Sequence, residues 1–118
     1  MHFLGIRHFC GAAGLVGSPF IAVGSSYGEL YICHFNGRKL DIEYKLKGHE
    51  GAIIDVESSS RYVFSCDDYG KICVRTDDTY DEICSFANDD VPCSAIKARG
   101  NILAAGFDTG NIKLYNIR

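Results

Sequence analysis

Ile21-Ala-Val-Gly-Ser-Ser-Tyr-Gly-Glu-Leu-Tyr-Ile-Cys33 has two near-copies further along the chain, Val63-Phe-Ser-Cys-Asp-Asp-Tyr-Gly-Lys-Ile-Cys-Val-Arg75 and Leu103-Ala-Ala-Gly-Phe-Asp-Thr-Gly-Asn-Ile-Lys-Leu-Tyr115. Each is a short apolar run, a polar break closed by glycine, and an alternating apolar run. Gly28, Gly70 and Gly110 close the breaks, so the unit recurs after 42 and then 40 residues. Alternation with period two marks strands that bury one face. A glycine after a polar triplet suits the left-handed position of a tight turn. Leu30 and Ile32, Ile72 and Val74, and Ile112 and Leu114 hold matching places two residues apart. Pleating sends each pair to one side of its sheet, where it is expected to pack against the next unit.

Outward from these stretches the pattern continues. Short runs rich in Val, Ile, Tyr, Phe and Cys predict strands near 6–11, 20–24, 29–35, 40–46, 53–58, 62–66, 71–76, 81–86, 92–98, 102–106 and 111–117. No window holds a capped 3.6-residue period, so helices are not expected. Asn36-Gly37 predicts a type I′ hairpin turn, and Pro92 falls where a strand begins, the place its missing N–H costs least. A period near 40 residues, built of strands and tight turns, is the signature of β-propeller blades. The expected architecture is all-β, one partial propeller domain over residues 1–118 with repeats at about 6–46, 47–86 and 87–118.

The second repeat opens with Gly48-His49, continues through Ile53-Ile-Asp-Val-Glu57, and carries Ser65 on its second strand and Gly70 in the turn before its third. In these features it resembles the WD40 repeat. The resemblance implies a protein-interaction scaffold or adaptor in the cytoplasm, without catalysis or cofactor. It also implies a buried tetrad of His, Ser or Thr, a turn Asp and Trp. Carried over residue by residue, His49 and Ser65 are kept. The Asp position holds Tyr69, with Asp68 beside it, and the Trp position holds Arg75. The other repeats place Val23 and Ala105 at the Ser position and Cys33 and Tyr115 at the Trp position, and the chain has no Trp. The blades are therefore expected to rest mainly on apolar packing, with a partial tetrad in the second alone.

The remaining chemistry is sparse. A formal charge of −3 argues against electrostatic capture of nucleic acid or anionic membrane. No run approaches the ~18 apolar residues of a membrane helix, and Met1-His-Phe-Leu-Gly-Ile-Arg7 lacks the pattern of a secretory signal. The six cysteines are read as reduced, buried thiols. They contain no Cys-x-x-Cys, and Cys33-His34 would point to opposite faces of a strand, so no metal site is expected. Asp67-Asp68 could be read as a carboxylate pair for acid–base work, but neighbours in a turn are ordinarily just solvated. WD40-like geometry would gather Tyr27, Asp67, Asp68, Tyr69, Asp89, Asp90 and Asp108 on one face, beside Lys47 and Glu50. An acidic face with exposed Tyr suits a protein or peptide partner, a basic segment above all.

Three blades do not close a ring, and open blade ends leave apolar surface and unpaired edges. Two expectations follow: the missing blades belong to a longer chain, or two copies assemble into one ring. The second makes the chain a homo-oligomeric assembly module, the alternative to a scaffold.

Overall fold

The computed structural model describes residues 9–14, 19–88 and 90–117. Among these residues eleven strands form three antiparallel sheets, each a meander in which neighbours in sequence are neighbours in space. The first sheet holds β1 (Phe9–Gly14), β2 (Phe20–Ser25), β3 (Glu29–Phe35) and β4 (Leu40–Lys47). The second holds β5 (Ile53–Ser59), β6 (Tyr62–Asp67), β7 (Ile72–Thr76) and β8 (Glu82–Phe86). The third has β9 (Cys93–Arg99), β10 (Ile102–Phe107) and β11 (Ile112–Asn116). The sheets stack through their first strands, β1 against β5 and β5 against β9.

The first strand differs from the 6–11 expected. It runs to Gly14, and residues 6–8 lie outside the described residues. Gly11 lies where β1 passes close to β5: a Cβ there would lie 3.4 Å from the Ile54 carbonyl oxygen. The Asn36-Gly37 turn is also not type I′. Gly37 has φ 92° while Asn36 is not in the left-handed region, so glycine takes the first central position. The Asn36 side chain instead accepts from the backbone N–H groups of Arg38 and Lys39, both at 3.0 Å.

Two apolar cores lie between the sheets. Ala22, Leu30 and Ile32 of the first blade meet Ile53, Val56, Val63 and Tyr80 of the second. Phe64, Cys66, Ile72 and Val74 of the second meet Cys93, Ile96, Leu103, Ala105 and Phe107 of the third. Polar groups at this junction are paired as well: the Asp55 carboxylate on β5 accepts the Ile96 N–H of β9 at 3.0 Å. The repeated apolar pairs behave differently in the third blade. Leu30, Ile32, Ile72 and Val74 are sealed, but Ile112 and Leu114 are 74% and 72% exposed. The alternation is the same; among the described residues no fourth blade covers the pair.

The turn glycines repeat this contrast. Gly28 and Gly70 have φ of 79° and 85°, as the turn requires, and each lies under the entry loop of the following blade. A Cβ would meet the His49 carbonyl oxygen at Gly28 and the Val91 carbonyl oxygen at Gly70, at 2.2 and 2.4 Å, whereas at Gly110 it would meet nothing. One glycine thus shapes a turn and lets the next blade dock.

Candidate functional site

The best-ordered polar chemistry lies where the entry loop of the second blade crosses the β6–β7 turn. His49 Nδ1 is 2.8 Å from Asp67 Oδ2, and His49 Nε2 is 2.6 Å from Ser65 Oγ. The other Asp67 oxygen accepts the backbone N–H groups of Tyr69 and Lys71, at 2.9 and 2.8 Å. Since a carboxylate can only accept, Nδ1 carries a proton; burial disfavours the charged ring, and in the neutral ring the Ser65 hydroxyl donates to Nε2. The strand pattern makes the arrangement: Val63, Ser65 and Asp67 share one face of β6, while Cys66 and Asp68 point away.

This corrects the assignment of the carboxylate. Neither Tyr69, which is 52% exposed, nor exposed Asp68 joins the network; Asp67 does, at 1% exposure. For the same reason Asp67 is not part of an exposed acidic face. Ser25, in the same register of the first blade, caps the same turn by accepting from the Tyr27 and Glu29 N–H groups, both at 3.3 Å. The third blade has Phe107 there, which cannot cap, and its turn is closed by backbone bonds from Phe107 N–H to Asn111 and from Gly110 N–H to Phe107. Arg75, at the Trp position, lies buried with its guanidinium donating to the carbonyls of Tyr80 and Lys47 at 2.8 and 2.6 Å. It ties the second blade to the end of β4, a role the sequence did not reveal.

Ser65, His49 and Asp67 are linked in the order of a hydrolase triad, yet the side chains of His49 and Asp67 are 2% and 1% exposed and Ser65 is 1% exposed. No substrate carbonyl can reach Ser65, so the network is structural. Burial holds the His49 pKa below its usual value; the Asp67 hydrogen bond opposes this and Lys71 and Arg75 reinforce it. The sign follows: the unfolded chain binds the proton more readily, so this contribution to stability is complete above about pH 6.5 and declines as pH falls below it. Urea midpoints are expected to fall between about pH 7 and 5, and His49→Ala to flatten that part of the profile.

A cleft of about 730 Å³ opens beside this network, walled by Glu50, Asp68, Tyr69, Lys71, Phe86 and Asp90, with Asp67 at its edge. The Lys71 ammonium is turned onto the Gly48 carbonyl, which leaves Glu50, Asp68 and Asp90 as the outward charges. Gly51 sets their position. A Cβ there would collide with Asp68 Oδ1 at 2.0 Å and with the Tyr69 ring at 2.6 Å, so both side chains lie over bare backbone. Of the face expected from sequence, Asp68, Tyr69 and Asp90 meet in this cleft. Tyr27 and Asp108 are exposed but do not line it, and Asp89 lies outside the described residues. Lys71 and Phe86 had no signal in the motif. Among the described residues, no three His, Cys, Asp or Glu side chains come together as metal ligands.

Stacked meanders of three or four strands, glycine turns under the entry loops of the second and third blades and a Gly-His entry joined to a buried Ser and Asp define WD40-type propeller blades. The chain has the WD40-type β-propeller fold and distant similarity to WD repeat domain 54 over most of its length. It is 27% identical over 116 residues to WD repeat domain 54 of Rattus norvegicus and 26% identical to WD repeat-containing protein 54 of Mus musculus. It spans 35% of the length of each of these curated relatives, and 89% of this chain is matched. Among solved structures, the β-propeller domain of Myceliophteria thermophila Cps50 (Swd1) matches 95% of this chain with 36% of its own, at TM-score 0.83 and 19% identity. Saccharomyces cerevisiae Sqt1 matches all of this chain with 34% of its own, at TM-score 0.88 and 13% identity. No family model matches the chain.

Proposed function

We propose that the chain is a non-catalytic protein-interaction module, working in the cytoplasm, whose acidic, Tyr-bearing cleft takes a Lys- or Arg-bearing segment of a partner. The observation that carries this is the convergence of Glu50, Asp68, Asp90 and half-exposed Tyr69 on one cleft, with the neighbouring lysine already engaged. A cation gains from several carboxylates at once, and an aromatic wall adds contact area and cation–π attraction. Propellers of this class are typically non-catalytic and commonly bind proteins, which accords with a buried rather than accessible Ser65-His49-Asp67 network. The test is a fluorescence-polarisation screen of Lys- and Arg-rich peptides against the chain and its Asp68→Lys and Asp90→Lys variants. Each reversal is expected to weaken binding about tenfold without moving the melting temperature, because both residues are exposed. Equal binding by both variants would reject the cleft.

A second reading is favoured by Ile112 and Leu114, the exposed members of a pair that is sealed in the other blades. On this reading the open face of the third blade receives a further blade, from a longer chain or from a second copy. Light scattering tests the second-copy case: a mass near twice 13.0 kDa, returning to monomer in Leu114→Asp, is expected if the chain assembles with itself.

A further inference from the structure

Cys66 and Cys93 occupy facing positions across the junction between the second and third blades. Cys66 ends the buried face of β6, Cys93 begins β9, and both are fully buried members of one core cluster. The sheet registers show how close such positions come. Cys66 pairs with Ile72 as Gly24 pairs with Leu30, and Cys93 pairs with Phe107 as Ile53 pairs with Asp67. Cys66 and Cys93 are thus the counterparts of Gly24 and Ile53 at the previous junction. There a Cβ built on Gly24 would lie 2.9 Å from the Ile53 Cβ. The missing side chain of Gly24 allows that close approach; with a Cβ on each side the two cysteine positions face one another at a wider spacing, and a disulfide needs Cβ atoms about 3.5–4.5 Å apart. The two thiols interact across the junction, and the Cys93 thiol donates to the Ala95 carbonyl at 3.7 Å.

We propose that Cys66 and Cys93 are a modification site, forming a reversible interblade disulfide on exposure to a peroxide. Cys93 is the attacking sulfur, since it lies at the very start of β9 beside an irregular stretch of ladder, whereas Cys66 lies within the paired length of β6. Its thiolate displaces hydroxide from the peroxide O–O bond and becomes a sulfenic acid; the hydroxide takes the Cys93 proton and leaves as water. The Cys66 sulfur then attacks the sulfenic sulfur, the S–O bond breaks, and the departing hydroxide takes the Cys66 proton as a second water. Two thiols lose two electrons and two protons, and one hydrogen peroxide becomes two waters. Access is local: Cys93 follows the half-buried Val91-Pro92 segment, and the β9–β10 ladder is irregular between Gly106 and Phe107, at Cys93 itself. A water-sized oxidant needs only a brief opening there. By contrast, the Cys73 thiol donates to the Gly48 carbonyl and Glu82, and its pKa is pushed up to about 12 by burial and the Glu82 bond.

The experiment exposes the intact chain to hydrogen peroxide, alkylates the remaining thiols after denaturation, and maps the peptides by mass spectrometry. Expected are a mass lower by about 2 Da, two fewer alkylated cysteines among the six, and one linked peptide pair joining Cys66 to Cys93, all reversed by dithiothreitol. Melting temperature should rise in the oxidised chain, and Cys93→Ser should abolish the mass change. The unsubstituted chain alone decides the matter if that variant folds poorly. Both cysteines alkylated, Cys93 carried to sulfinic acid, or either sulfur joined to another cysteine would overturn the proposal.

Discussion

Replacing Asp67 by alanine is expected to destabilise the chain more than any surface change of charge, by about 3 kcal/mol. The carboxylate accepts from three donors, the His49 imidazole and the N–H groups of Tyr69 and Lys71, in a site without access to water. Alanine leaves all three unpaired, and each unmet buried donor costs about 1–3 kcal/mol, partly relieved where the turn can relax toward solvent. Against a total stability of roughly 5–15 kcal/mol for a domain, the loss is a large share. Asp68→Ala, one residue on, should lower the unfolding free energy by less than about 0.5 kcal/mol, because that side chain is exposed. His49→Ala should fall between the two. A similar cost for Asp67 and Asp68 would mean that the turn, not the carboxylate, organises this blade.

Ile72→Ala and Ile112→Ala alter the same position of two successive repeats and are expected to give opposite results. Ile72 is fully buried in the core between the second and third blades, so its truncation should cost about 2–5 kcal/mol in lost burial and residual cavity. Ile112, at 74% exposure, should cost less than about 0.5 kcal/mol in the monomer. Chemical denaturation at low protein concentration reads both. A large loss at Ile112 that grows with concentration would instead report a face covered by another chain.

That pair also shows where the sequence stops speaking. Period-two alternation and turn glycines reveal strands and their repetition because both are local properties of the chain. Alternation identifies an apolar face but is silent about what covers it, so Ile112 and Ile72 read alike. The missed carboxylate has a different cause. The family pattern places its turn Asp at the position of Tyr69, with Asp68 beside it, and so passes over Asp67. Strand geometry distinguishes them, since Asp67 lies on the face of Ser65 and Asp68 does not. Ser25 offered a second clue, being a capping residue in the same register. The cleft was only half legible: its carboxylates come from turns the repeat pattern located, but Phe86 and Lys71 join it through the stacking of whole strands. The closeness of Cys66 and Cys93 likewise depends on blade spacing, which no motif encodes.

The most direct test of the functional reading is an NMR titration of the chain with an Arg- and Lys-bearing peptide that binds it. The account predicts amide shifts confined to Glu50, Asp68, Tyr69, Ser85 to Ala87 and Asp90, fading as salt is raised. Shifts centred on Asp77, Asp78 and Asp81 at the other end of the second blade, or on Ile112 and Leu114, would contradict it.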